Sequence, residues 1–198
     1  MKNFLLFIIT TICASCFCSS CNNLKDADSG SRSRIADSTE IVKLLHTAYK
    51  WHGTEGKDII DFQIIVKDSF QVGVDTAKSK QTLTVLKKTN YFSSGFLENY
   101  QKIWLKTDSA LKHGKYYNEI NFSFQDADPW TFFQDDAGNY WDSLKISDMA
   151  LNADTASLKW MLGGKYPTDK YMVKLKRESN VWKISYLQGF DIHQINEN

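Results

Sequence analysis

Beyond Cys21 this chain of 198 residues has no cysteine; all four, Cys13, Cys16, Cys18 and Cys21, lie within its first 21 positions. A disulfide framework across the remaining sequence is therefore excluded, and the fold must be held by its core even in an oxidising compartment. Charge of one sign is also lacking: the formal balance is +1, which gives no support to a nucleic-acid partner. Long apolar runs are missing as well. The stretch from Phe4 to Ile12 falls far short of the roughly 20 residues that a spanning helix needs. No nucleophile elbow, phosphate loop or metal-spaced His/Cys set appears in the sequence. No cofactor is implied.

What is there begins with an address. Met1-Lys2, the apolar run and a small-residue stretch have the order of a secretory signal. Cys18-Ser19-Ser20 ahead of Cys21 resembles a lipobox, which implies cleavage after position 20 and a lipid on the Cys21 thiol. Cys16, behind Cys13-Ala14-Ser15, is the other candidate; Cys21 is preferred because polar Asn22-Asn23 follows it. The competing readings are an ordinary soluble secretory peptide or a disulfide among the four cysteines. Removing residues 1–20 takes away one lysine and no acid, leaving basic and acidic side chains equal. The expected partner is then a membrane, reached through lipid rather than charge, in the cell envelope. Residues 21–36 are small, polar and unpatterned, a flexible tether. Asp26 and Asp28 within it loosely resemble the surface-export signals of Bacteroidetes lipoproteins.

Residues 37–198 carry one domain's worth of pattern. Asp37 and Glu40 have capping-box spacing, and Ile41, Leu44, Leu45, Ala48 and Trp51 recur at helical period before Gly53. A second helix is expected from Ser93, with Phe92 and Leu97 as a staple and Phe96, Tyr100, Ile103 and Trp104 inward. Between the two helices, Ile59–Val74 is strand-like. Later the period changes. Ile120, Phe122 and Phe124 alternate, and Leu144–Ala150, Thr155–Leu162, Tyr171–Arg177 and Val181–Leu187 are short strands separated by turn residues. Tyr171, Val173 and Leu175 are expected on one face, as are Trp182, Ile184 and Tyr186. Helices followed by consecutive strands indicate an α+β fold, with helices on one face of an antiparallel sheet.

Four motifs in order carry a resemblance: Ala48-Tyr49-Lys50-Trp51-His52, Tyr91-Phe92, Asp128-Pro129 with Gln134-Asp135, and Val181-Trp182-Lys183-Ile184. Together they resemble the YbjP-like family of bacterial lipoproteins of unknown function. The resemblance covers roughly residues 38–190, with Thr54–Lys80 as an insertion. It implies a cystatin-like cone of the nuclear-transport-factor-two-like type, a curved sheet wrapped around helices. It implies no catalytic residue.

Three constellations compete for function. Asp126, Asp128, Asp135 and Asp136 are candidate ligands for a hard cation such as calcium, although Pro129 and Trp130 break the EF-hand spacing and a turn explains them equally. His46, Trp51, Trp104, Trp130, Tyr140 and Trp141 are candidate pocket or contact residues, in a chain whose segment 116–141 is crowded with aromatics. Filling of the core is the plainer alternative, and for His46 a hydrogen-bonded place at the helix boundary. Thr76, Ser109, Ser143 and Thr155, each behind an aspartate, resemble the O-glycosylation tripeptide of Bacteroidetes envelope proteins, and such pairs also cap helices and turns. The expectation is a non-catalytic envelope protein that takes a small ligand in the cone or a protein on the sheet face. The alternatives are an enzyme with an acid–base pair in the cone, or a periplasmic immunity or inhibitor protein.

Overall fold

The computed structural model describes residues 23–56, 63–114, 116–117, 128–132, 139–162 and 170–194. The signal segment with Cys16 and Cys21, the alternating Ile120, Phe122 and Phe124, and Asp126, Asp135 and Asp136 lie outside the described residues. The chain forms two compact units, Met1–Asp37 and Ser38–Asn198. No described helix is long and apolar enough to cross a membrane.

The architecture is α+β, with helices packed against antiparallel sheet. Helix α1 runs Asn23–Trp51, so it passes through Asp37 instead of being capped there. Once a helix is nucleated by packing, polar residues without proline extend it at little cost, and residues 23–36 of the expected tether contain no proline. Within the second unit Ile41, Leu45, Ala48 and Tyr49 are its buried stripe. A π-helical turn, His52–Gly56, follows.

Strands β1 (Ile64–Lys67) and β2 (Phe70–Val74) form a hairpin. Asp68 and Ser69 between them both have positive φ, the backbone of a two-residue turn whose twist matches the strands. Strand β3 (Tyr116–Tyr117) pairs on the other side of β2. Helix α2 (Thr76–Thr89) follows the hairpin and has no counterpart in the sequence expectations. Asp75 caps it by accepting from the Ala77 and Lys78 amides, and Asn90 ends it in the left-handed region at φ 62°. Helix α3 (Ser94–His113) starts where the sequence places it, with the Ser93 hydroxyl accepting from the Phe96 amide. It packs against β2, α2 and the last strand.

At the α3–β2 contact, Asp108 is buried; one carboxylate oxygen accepts from the Val74 amide at 2.9 Å and the other from Lys112 at 2.6 Å. Burial alone raises its pKa, but those two donors outweigh it and hold the carboxyl below its ordinary value. A carboxyl depressed in the folded state stabilises the fold above the unfolded pKa, and that contribution is lost as pH falls through the folded value. Asp108→Asn is expected to cost about 1–3 kcal/mol at neutral pH. The difference from wild type should narrow as the pH falls below about 4; urea titrations across that range measure it, and a gap constant with pH refutes it.

The second sheet is a meander in the order β4-β5-β6-β7: β4 Leu144–Leu151, β5 Thr155–Leu162, β6 Tyr171–Glu178 and β7 Val181–Leu187. Ser179 and Asn180, both at positive φ, make the tight β6–β7 turn. Leu158, Trp160, Tyr171, Val173, Leu175, Trp182, Ile184 and Leu187 are buried on its inner face. One expectation needs correcting. Tyr186 does not share a face with Trp182 and Ile184, because the ladder slips: Leu175 pairs with Ile184, whereas Lys174 pairs with Tyr186. Ser185 is the extra residue of a β-bulge, so Tyr186 points outward and Leu187 takes the inner position. A second bulge lies in β4 between Ser147 and Ala150, with Asp148 at φ 53°.

Candidate functional site

The aromatic residues converge on the segment Asp128–Phe132. Asp128 organises it: its carbonyl accepts from the Thr131 and Phe132 amides, and its carboxylate from the Trp130 amide at 2.9 Å and the Thr131 hydroxyl at 3.1 Å. This turn sends Trp130 into the core. There His52 stacks on it at 4.4 Å between centroids and 14° between planes, and Tyr49, Phe92 and Phe190 meet it edge-on. Tyr49 donates to the Trp130 carbonyl at 3.2 Å and accepts from the Trp160 indole at 2.8 Å. Tyr171 donates to the Pro129 carbonyl at 2.6 Å and accepts from the Gly189 amide at 2.9 Å.

His52 is buried, with Nδ1 2.6 Å from the Tyr140 hydroxyl and Nε2 3.9 Å from the Asp128 carboxylate. Tyr140 is also within reach of the Tyr49 carbonyl, at 3.4 Å. This Tyr–His–Asp row is the nearest approach to an acid–base arrangement among the described residues. Burial, and behind it the Asp128 charge, pushes the Tyr140 pKa up, and burial does the same to Tyr49 and Tyr171. Raised phenols stay protonated and serve as donors rather than as bases or nucleophiles. The row ties α1 to the Asp128 turn and the Tyr140–Ser143 3-10 turn.

The sequence candidates distribute as follows. Trp130 and Tyr140 meet in this knot, joined by His52, which the candidate set omitted. Trp104, Trp130, Tyr140 and Trp141 are buried, so they are core and not an exposed contact patch. Trp51 is half-buried against Tyr91 and Trp130. His46 Nδ1 sits 3.1 Å from the Trp141 carbonyl, at the edge of the buried stripe of α1. Asp128 is spent on its own turn, and among the described residues no three His, Cys, Asp or Glu stand close enough to hold a metal ion. Ser109, Ser143 and Thr155 are exposed and Thr76 half-buried; Asp75, ahead of Thr76, is a helix cap.

An open surface lies on the other side of the β4–β7 sheet. Its cross-strand rows read Lys145–Met161, Ser147–Lys159–Met172, Ser157–Lys174–Tyr186 and Thr155–Lys176–Lys183. Lys145 and Lys174 are exposed; Met161, Lys159, Met172 and Tyr186 are half-buried. The Lys174 amine lies 5.0 Å from the Tyr186 ring centre, a cation–π contact. Lys176 pairs with Glu178 at 3.1 Å, and Lys170 with Asp148 at 2.7 Å. Lys183 turns to the sheet edge, donating to the Asn90 carbonyl at 2.8 Å. Alternation of this kind is ordinary for a sheet with one face in water, and lysine is the commonest charged residue in its outward rows. No family model, curated protein or solved structure matches this chain.

Proposed function

We propose that the chain is a lipid-anchored envelope protein, held at the membrane through Cys21, whose folded domain docks a protein partner on the outer face of the β4–β7 sheet. One observation carries the docking part: the inside of the domain is filled by Trp130, Tyr49, Trp160 and Tyr171, each at most 2% exposed, while the outer face offers Lys145, Met161, Met172, Lys174 and Tyr186 to solvent. Close-packed aromatics leave little room for a ligand among them. Tyrosine and methionine on an open face suit protein contact. The acid–base alternative has His52 as its best residue, and the raised phenols beside it weigh against that reading.

The test is photo-cross-linking in the envelope of the native host, with the reactive group at Ser157 on the outer face or, as control, at Gln101 on α3. Docking gives a discrete protein adduct from Ser157 alone, recovered with the membrane fraction; Cys21→Ser moves the protein to the soluble fraction. Identical adducts from both positions end the docking reading, and a Cys21→Ser chain that stays in the membrane ends the assignment of the anchor to Cys21.

A further inference from the structure

We infer that the partner is acidic: the outer face of the β4–β7 sheet is built to receive a carboxylate-rich protein surface. The inference rests on the docking reading and names the chemistry of what docks. The outward rows of the four strands carry Lys145, Lys159, Lys174 and Lys176, while Arg177 stacks on inner-face Trp182 and Lys183 is buried at the edge. The strands hold two acidic residues, Asp148 and Glu178, in a chain whose overall balance is +1. Both acids are engaged. Asp148 is held below its ordinary pKa by the Lys170 hydrogen bond and charge, with Lys159 a weaker influence. Glu178 accepts from the Ser94 amide and hydroxyl and from Lys176.

Position argues against the ordinary reasons for lysine in a sheet. Lysines guard edge strands against unwanted pairing, yet Lys159 and Lys174 lie on β5 and β6, the two central strands of the order. They are also diagonal neighbours, since Lys159 pairs with Met172 and Lys174 lies two residues further along β6. Diagonal positions are about 7–8 Å apart, within reach of two long side chains, so the two amines stand in one patch. Their cross-strand partners, Ser147, Met172, Ser157 and Tyr186, offer no carboxylate, and Asp148, whose charge reaches Lys159, is paired with Lys170. An opposing carboxylate surface complements both amines at once.

A protein suits the face better than a membrane does. The lysines are interleaved with Met161, Met172 and Tyr186 inside a four-stranded field, about 14 Å between its outer strands. The Lys174 amine lies over the Tyr186 ring, so charge and aromatic surface are presented together, as protein contacts use them.

Two measurements on the full-length protein test this. The first repeats the Ser157 cross-linking with Lys159→Glu/Lys174→Glu, with Lys80→Glu/Lys88→Glu on α2 as a control of equal charge change, and with Lys159→Arg/Lys174→Arg. The expected result is an adduct reduced at least tenfold in the sheet reversal, kept in the α2 reversal and kept with arginine. The second titrates the detergent-solubilised protein with poly-L-glutamate; binding should weaken at least tenfold in the sheet reversal alone. If the Ser157 adduct survives the sheet reversal, docking stands and the acidic partner is overturned. If wild type gives no adduct, docking itself is overturned. Equal weakening of poly-L-glutamate binding in both reversals reduces the effect to net charge and overturns the inference. So does binding of the Cys21→Ser protein to phosphatidylglycerol vesicles that the sheet reversal abolishes, in favour of a membrane surface.

Discussion

Trp130→Ala is expected to remove about 3–5 kcal/mol of stability, a large share of the 5–15 kcal/mol that a domain typically has. Trp130 is fully buried and contacts rings from α1, the His52 turn, the short segment before α3 and the turn after β7. Truncating it leaves an indole-sized void where those elements meet, and neighbours fixed by their own backbones cannot collapse into it. At about 2–4 °C per kcal/mol for a chain of this size, the melting temperature should drop by roughly 10 °C. Its indole N–H has no hydrogen-bond partner among the described residues, so Trp130→Phe forfeits shape but none of the polar contacts described and should cost less than half as much. Calorimetry on the pair decides: equal losses would mean that the ring stacking contributes nothing.

Gly189→Ala is the second large effect, and it comes from adding an atom. A β-carbon at Gly189 falls on the Pro129 carbonyl, with the Pro129 Cα 2.7 Å away. Backbone cannot swing aside as a side chain does. The Gly189 amide also donates to the Tyr171 hydroxyl, which donates to that same Pro129 carbonyl. One methyl group therefore forces apart a buried clasp and tilts the turn that inserts Trp130. Overpacking typically costs about 1–3 kcal/mol, and the strained hydrogen bonds place Gly189→Ala at or above the top of that range. Gly53→Ala is the useful comparison, because its added carbon meets the Trp141 ring, a side chain that can yield. Because Gly189 and Trp130 act on one turn, the double variant should lose less than the sum of the two. Additive losses in urea unfolding would refute the shared mechanism.

The parts of this fold that are legible in the sequence are those where pattern and burial agree. Ser93 followed by inward Phe96, Tyr100, Ile103 and Trp104 marks α3 from spacing alone, and the limits of β5 and β7 match their alternating residues. Helix α2 is hidden because its buried residues include Ser79 and Thr82, which read as polar; Asp75 and Asn90 at its ends are the signals that mark it. The Asp68-Ser69 turn is concealed inside an apolar run. The outer face of the sheet is legible only in part. Lys159 and Lys174 can be placed outward by alternation, but Tyr186 reads as core until the Ser185 bulge is known, because a one-residue slip inverts every later side chain. His52 is visible as a histidine and not as a partner of Tyr140, 88 positions away.

The short segment before α3 seals the free edge of the last strand. Ile184 donates to the Tyr91 carbonyl at 2.8 Å, and its own carbonyl accepts from the Ser93 amide at 2.9 Å. A chain emerging amino-end first, from a ribosome or across a membrane, exposes Tyr91–Ser93 long before residue 184 exists to meet it. Contacts so distant along the chain form slowly. The start of α3 must therefore wait, half-covered, for the carboxyl-terminal hairpin, and a chain cut short of β7 leaves Tyr91–Ser93, the edge of β6 and the face of α3 that meets β7 open to whatever binds unfolded protein.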